Sequence, residues 1–165
     1  MGKKAIKNQL PLRAVASKVG EIIATIASLR GVLKVAPVGA YRRGNSSVSS
    51  VTVLAACSPK AHKRVVDRFC RMGVVTARGR DKACIFIGDL RVKLEIVPRG
   101  SWGVRLHRRT GPDNHVRTLR TIAKSQGLVL DRNGLWDDDA RIAGRSEKGV
   151  YEALGEECPE PAKRQ

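Results

Sequence analysis

Residues 36–54, APVGAYRRGNSSVSSVTVL, decide how this chain folds. The segment begins and ends with β-rich runs, which predict two strands. Between them lie a turn at Gly39, the paired arginines Arg42 and Arg43, and a serine-rich loop. Paired arginines beside a turn are typical of loops that hold phosphate groups, since the guanidinium fork matches phosphate oxygens. The segment nevertheless contains no carboxylate, so any metal ion bound with the phosphates would lack its usual ligands here.

Around this segment the hydrophobic pattern predicts one sheet of about five strands that carries two helices. The predicted strands are VLKVAPV (32–38), SVTVLAAC (50–57), GVVTARG (73–79), KACIFIG (82–88) and LRVKLEIVP (90–98). Apolar residues recur at helical spacing over residues 12–30 and again over 58–73. The fold class that follows is α+β with a mixed sheet.

The remaining residues predict a smaller lobe. SWGVRLHRR (101–109) and PDNHVRTLRTIAKSQG (112–127) are typical of helices, LVLDRNGLW (128–136) of a hairpin, and SEKGVYEALG (146–155) of a capped helix. We therefore expect two domains, residues 1–105 and residues 106–165.

Charge is the most unusual property of the composition. The chain of 165 residues has a formal net charge of +17. Residues 1–110 contain 23 Lys and Arg against 5 Asp and Glu, whereas residues 111–165 contain 9 against 10. Such an excess favours a polyanionic partner, and nucleic acid is the first expectation, DNA more than RNA.

The cysteines and the apolar runs indicate the setting. Four cysteines lie far apart without a C-x-x-C pair, which argues against a zinc site and favours a reducing compartment. No apolar run approaches the roughly 20 residues of a membrane span. We expect an intracellular protein of the cytoplasm, a nucleoid or a virion, with an organelle left open because the first acidic residue is Glu21.

Several motifs together resemble the family X DNA polymerases. GAYRRG, SVTVL, RVKLEIVP followed by SWG, RTGPDNHVRTLRTIAKSQGLVLDRNGLW and SEKGVYEALGEECPEPAKR occur in the order and at about the spacing of that family. The resemblance covers roughly residues 10–165 and is most specific from TG to EPAKR. It implies a nucleotidyltransferase-like palm over residues 1–105 and a thumb over residues 106–165.

The resemblance also implies where metal ligands would be expected. Members of the family hold two Mg²⁺ ions with three aspartates, two on the strand after the arginine turn and one on a neighbouring strand. Here Ser50 and Thr52 stand at the first two positions and Lys93 at the third. Hydroxyls are weak neutral ligands and an ammonium repels cations, so we expect no catalytic residues, no metal ion and no cofactor.

Other positions that the resemblance marks are cationic. Arg42 and Arg43 match the arginine pair near the triphosphate, and Arg120 matches a thumb arginine that contacts the template. Arg108 and Arg109 replace an aromatic pair beside the sugar pocket. On the helix after TG, Arg117 and Lys124 share a face with Arg120. We expect these residues and Lys93 to bind the phosphates of nucleic acid.

Each of these interpretations has a plainer alternative. Arg42 and Arg43 would equally suit a solvated turn or an internal ion pair, and a charged helix face is usually only solvated. Lys93 would have Glu95 or Asp89 as a partner in an internal pair.

The function that follows is that of a catalytically inactive polymerase-like protein that binds the nucleic-acid backbone, as a component of a virion or nucleoprotein assembly. One alternative is an active nucleotidyltransferase whose ligands have shifted to Asp89 and Glu95. Another is a structural protein whose basic face docks on acidic proteins.

Overall fold

The computed structural model describes residues 9–164. The helices are α1 Leu12–Ala27, α2 His62–Cys70, α3 Trp102–Thr110, α4 Asp113–Ser125 and α5 Glu147–Ala153. The strands are β1 Leu10–Pro11, β2 Val32–Val38, β3 Ser47–Val48, β4 Val51–Cys57, β5 Val74–Arg78, β6 Lys82–Ile87, β7 Leu90–Val97, β8 Val129–Leu130, β9 Leu135–Asp137 and β10 Ala140–Ala143. A mixed α/β fold is thus confirmed.

Five strands form the central sheet in the order β2-β4-β7-β6-β5. β4 and β7 pair in parallel, and the other neighbours in this sheet are antiparallel. The predicted five-stranded mixed sheet is therefore confirmed. The parallel pair lies between β2 and β6, so the residues of β4 and β7 have neighbours on both sides.

Alternation along β4 sends its side chains to two different cores. Val51, Val53 and Ala55 belong to a large apolar cluster with buried residues of α1 and α2. These two helices are amphipathic, as their spacing predicts, and Gly31 turns the chain from α1 towards β2 with a φ of 91°. Both predicted helices consequently cover the same face of the sheet.

The opposite face of the sheet is covered in part by α3. Trp102 and Leu106 of α3 pack with Val38, Leu54 and other residues of β2, β4 and β7. The remainder of this face, towards β6 and β5, is here called the open face.

Helix α3 also takes part in the core of the C-terminal residues. Its Val104 packs with buried residues of α4, β8, β9 and α5. The predicted division between residues 105 and 106 thus falls within a helix that contributes to both cores, and the two-domain description stays a prediction.

The C-terminal residues form two helices, a small sheet and a third helix. β10, β9 and β8 are antiparallel neighbours, and α5 is capped by Ser146, whose hydroxyl accepts a hydrogen bond from Gly149 N at 3.1 Å. This cap was predicted, whereas β10 and the short pair formed by β1 and β3 were not. Over residues 9–164, no helix combines the length and the apolar composition that crossing a membrane requires.

Two helical glycines should respond in opposite ways to a methyl group. A Cβ on Gly103 in α3 would lie 2.0 Å from the backbone carbon of Ser146, whereas a Cβ on Gly20 in α1 would meet nothing within 4 Å. We expect Gly103→Ala to lower the free energy of unfolding by about 2 kcal/mol or more, because backbone must move. Gly20→Ala should raise it by roughly 0.5–1 kcal/mol through helix propensity.

Urea unfolding of both variants and the parent chain measures these changes. A neutral or stabilising Gly103→Ala would contradict the close approach of α3 to the start of α5.

Candidate nucleic-acid interface

The parallel pairing of β4 and β7 places Thr52 beside Lys93. The two residues are direct partners in the register, and Lys93 has Cys84 of β6 on its other side. Thr52 lies one position from Val51 and Val53, which face α1 and α2, so its side chain projects to the other face. Ser50 directly precedes β4. Two of the three positions that lack a carboxylate are therefore neighbours on the open face.

A cavity of about 520 Å³ opens at this part of the sheet. The charged residues that line it are Arg78, Lys82, Arg91, Lys93, Glu95 and Arg109. In the part of the chain that the structure describes, Lys82, Arg91 and Lys93 form no ion pair with a carboxylate. The excess of uncompensated positive charge makes the cavity suited to an anion and unsuited to a divalent cation.

Arg91 is held against the wall of the cavity by a cysteine. Its Nε donates a hydrogen bond to Cys84 Sγ at 3.3 Å. Burial acts to raise the pKa of the Cys84 thiol, but the hydrogen bond from Arg91 and the nearby positive charges outweigh it and lower that pKa. Arg91 and Lys93, whose charges lower this pKa further, also line the cavity.

Glu95 is already occupied by two arginines. Arg105 Nη1 lies 3.1 Å from Oε1, and Arg109 Nη2 lies 2.5 Å from Oε2. The carboxylate is buried, with 5% of the residue exposed. Both oxygens are thus engaged in charged contacts. Lys93, for which Glu95 was a possible partner in the sequence, does not pair with it.

Asp89, the other candidate for a shifted ligand, lies in the exposed turn between β6 and β7. It precedes Lys93 by four residues, roughly 13 Å along an extended chain. Among residues 9–164 no three His, Cys, Asp or Glu side chains are grouped so that they could hold a metal ion. The residues of the open face do not fit the two-metal centre that the family resemblance implies.

The arginines of the turn after β2 are used inside the protein. Arg42 Nη2 pairs with Glu147 Oε2 at 2.8 Å, and its Nη1 donates to Thr110 Oγ1 at 2.7 Å. Arg43 Nη1 donates to the carbonyl of Thr110. Arg42 thus forms the internal ion pair that the sequence left open as the alternative to a phosphate contact. Both arginines attach the turn to the end of α3.

Glu147 also binds a second arginine from the C-terminal end. Arg164 Nη1 lies 2.7 Å from Glu147 Oε1, and the Arg164 side chain is 1% exposed. Burial acts to raise the pKa of Glu147, but hydrogen bonds from Arg42 and Arg164 outweigh it and hold that pKa below its usual value. One carboxylate therefore joins the turn after β2, α5 and the C-terminal residues.

A polar cluster lies beside this carboxylate. The Tyr151 hydroxyl is 2.8 Å from His107 Nδ1 and 2.7 Å from His115 Nε2, while His107 Nε2 is buried without a hydrogen-bond partner. Burial lowers the pKa of His107 to about 4. His107 therefore binds a proton more tightly in the unfolded chain than in the folded protein. The contribution of neutral His107 to the free energy of unfolding is complete above about pH 6.5 and is lost as pH falls towards 4.

The cations on α4 are exposed as the helical spacing predicts. Arg117, Arg120 and Lys124 are exposed, and none forms an ion pair with another described residue. Arg108 at the end of α3 is likewise exposed and unpaired within residues 9–164. These four side chains are available to an external anion, whereas Arg109 is shared with Glu95.

Sequence reasoning missed the two buried carboxylate centres. Glu95 stands in a β-rich run and Glu147 near a helix start, and neither position reveals its arginine partners. One usable signal was the spacing of Arg105 and Arg109, which places both on one face of α3. The partners of Glu147 are 105 and 17 residues away in the chain.

Comparison with known protein families finds a similarity in the C-terminal part. Residues 105–165 match the family model described as the DNA polymerase beta thumb. This match relates the chain to the family X polymerases and supports the resemblance found in its motifs. No match was found among curated proteins.

Removing the negative charge of Glu147 should destabilise the fold strongly. Glu147→Gln leaves Arg42 and the buried Arg164 without their counter-charge, so we expect the free energy of unfolding to fall by about 3 kcal/mol. The control is Glu152→Gln on the same helix, whose ion pair with Lys148 is exposed. That change should cost less than about 0.5 kcal/mol.

Urea unfolding at neutral pH compares the two variants. Acidification should remove the same contribution from the parent chain as pH falls through the lowered pKa of Glu147. Equal effects of the two substitutions would contradict the structural role of this carboxylate.

Proposed function

We propose that this protein is a catalytically inactive relative of the family X DNA polymerases that binds nucleic acid through the phosphate backbone. The observation that carries the proposal is the pairing of Thr52 with Lys93 on the open face. Two-metal phosphoryl transfer needs anionic oxygens at such a centre. A hydroxyl beside an ammonium supplies none, and the nearby Glu95 is neutralised by Arg105 and Arg109.

In this proposal residues 1–105 correspond to a polymerase palm in which Ser50, Thr52 and Lys93 stand in place of the lost metal ligands, and residues 106–165 correspond to the thumb. The match of residues 105–165 to the polymerase beta thumb supports the second part and favours DNA as the nucleic acid. The protein would act as a structural component of a nucleoprotein assembly, with contacts to other proteins of that assembly.

The exposed face of α4 suits the contour of a nucleic-acid strand. Arg117 and Lys124 are seven residues apart, a rise of about 10 Å along the helix. This distance corresponds to the axial rise of about three nucleotides of one strand. Arg120 lies between them on the same face, and Arg108 extends the positive charge to the end of α3. Contacts of this kind position a backbone without reading its sequence.

The cavity of the open face would receive a further phosphate. Lys93, Arg91 and Lys82 contribute fixed positive charge where the resemblance implies metal-bound phosphates. Lys93 would thus replace the electrostatic attraction of the ions without their chemistry. Arg42 and Arg43 would support this site indirectly, because their hydrogen bonds hold the turn after β2 against α3 and α5.

We expect binding that weakens steeply with salt and does not require Mg²⁺. Fluorescence anisotropy with a labelled 20-base-pair duplex, between ~50 and ~200 mM salt, measures the affinity and its salt dependence. Arg117→Gln/Arg120→Gln/Lys124→Gln should flatten the slope of log K against log salt by about 2.7, since each lost phosphate contact removes about 0.9. Adding Mg²⁺ should only weaken binding, as a competing counterion.

The control removes the same charge from lysines that already pair with carboxylates, in Lys63→Gln/Lys148→Gln/Lys163→Gln. Its slope should remain close to that of the parent chain. Failure of the parent chain to bind any duplex or single strand at ~50 mM salt would overturn the proposal and favour docking on acidic proteins.

Restoring carboxylates tests the loss of the metal centre. Ser50→Asp/Thr52→Asp/Lys93→Asp should bind Mn²⁺ in a titration monitored by electron paramagnetic resonance, whereas the parent chain should not. Circular dichroism verifies that the variant folds, and Thr52→Asp/Lys93→Asp is a milder version that should still bind one ion. Metal-dependent incorporation of labelled nucleotide by the parent chain would refute its inactivity.

A further inference from the structure

A second group of cations lies away from the open face. Lys34 of β2, Arg99 before α3, Arg141 of β10 and Arg145 before α5 are all exposed. None of the four forms an ion pair with a carboxylate in residues 9–164. We call these residues the second basic patch. Four uncompensated charges drawn from distant parts of the chain create a local positive potential.

The second basic patch surrounds two adjoining cavities. One of about 290 Å³ is lined by Lys34, Arg99, Gly100 and Arg145. The other, of about 340 Å³, is lined by residues 141–146 and Gly149, so Arg145 borders both. Neither lining contains an acidic residue. The charged residues of both linings are thus all cations.

Two glycines hold the Arg141 side chain in place. A Cβ on Gly134 would lie 2.6 Å from Arg141 Cδ, and a Cβ on Gly100 would lie 3.0 Å from both guanidinium nitrogens Nη1 and Nη2. The aliphatic part of Arg141 therefore packs on Gly134, and its guanidinium lies against Gly100. The Arg141 guanidinium therefore lies beside Gly100, the residue that follows Arg99 in the chain.

The backbone around the second basic patch is fixed by hydrogen bonds. The carbonyl of Gly144 accepts from Gly103 N at 2.8 Å and Val104 N at 3.2 Å, and Ser101 Oγ donates to Asn133 O at 2.9 Å. Lys34 Nζ lies 5.9 Å from the centre of the Trp102 ring, a cation–π contact. The backbone positions of the four cations and the side chains of Lys34 and Arg141 are thus set before any ligand arrives, which lowers the entropic cost of binding one.

The second basic patch is separated from the α4 face and from the open face. Arg99 and Gly100 precede α3, whereas Arg108 and Arg109 lie at its opposite end, roughly 13 Å along the axis. On the sheet, Lys34 pairs with Ala56 near the end of β4, and Thr52 lies near its start. The two cationic regions therefore lie at opposite ends of α3.

We propose that Lys34, Arg99, Arg141 and Arg145 form a second site for the phosphate groups of nucleic acid, at the other end of α3 from the first. The proposal rests on the proposed function, because it assigns an additional contact surface to the same ligand. One molecule then contacts the backbone at two places, and both places contribute to the number of counterions released.

The test compares two double variants of equal net charge with the 20-base-pair duplex. Arg141→Gln/Arg145→Gln should flatten the salt slope by about 1.8 and lower the affinity at ~50 mM salt by roughly tenfold or more. The control, Lys63→Gln/Lys148→Gln, removes two charges that are already paired. It should remain within about twofold of the parent chain, since paired charges attract few counterions.

A third variant tests position without changing charge. Gly100→Ala should displace only the flexible end of Arg141, so the protein should keep its thermal stability and lose a measurable part of its affinity for the duplex. If the parent chain binds and Arg141→Gln/Arg145→Gln behaves like the control, the second site is refuted while the proposed function stands. If the parent chain does not bind, the proposed function itself fails.

Discussion

The carboxylate of Glu147 is the contact on which the arrangement of this protein depends. It receives Arg42 from the turn after β2 and Arg164 from the C-terminal residues, while Arg42 also reaches Thr110 at the end of α3. Three parts of the chain that are far apart in sequence thus meet at one charge. Because Glu147 and Arg164 are buried, removing one charge of this group would leave another charge buried without a partner, which costs stability.

The distribution of the few acidic residues explains why so much positive charge stays available. In the basic part of the chain, Glu95 is taken by Arg105 and Arg109, Asp67 by Lys63 and Arg78, and Asp81 lies beside His62. The Glu95 carboxylate neutralises two arginines that join α3 to β7. The cations on α4, in the open cavity and in the second basic patch have no such partners within residues 9–164, so an external polyanion is their natural counter-charge.

Periodic features were predictable from the sequence, and long-range polar contacts were not. The bounds of β2 agree with the prediction, and the five strands of the sheet correspond to apolar, β-rich runs that are visible in the sequence. β10 was missed because its residues are mostly exposed and lack a buried alternating pattern. The resemblance implied that Thr52 and Lys93 lie on neighbouring strands, whereas the internal use of Arg42 depends on Glu147, 105 residues away. No local pattern encodes such a partner.

Helix α3 has a consequence for how the molecule loses its structure. Different residues of this helix belong to different apolar clusters, with Trp102 and Leu106 on the sheet and Val104 among the C-terminal helices. If either cluster opens, α3 loses contacts that hold it in place, and the other cluster loses the α3 residues that it contains. The free energies of the two clusters are therefore coupled, and denaturation should proceed as one cooperative transition, with no half-folded intermediate in which one cluster survives alone.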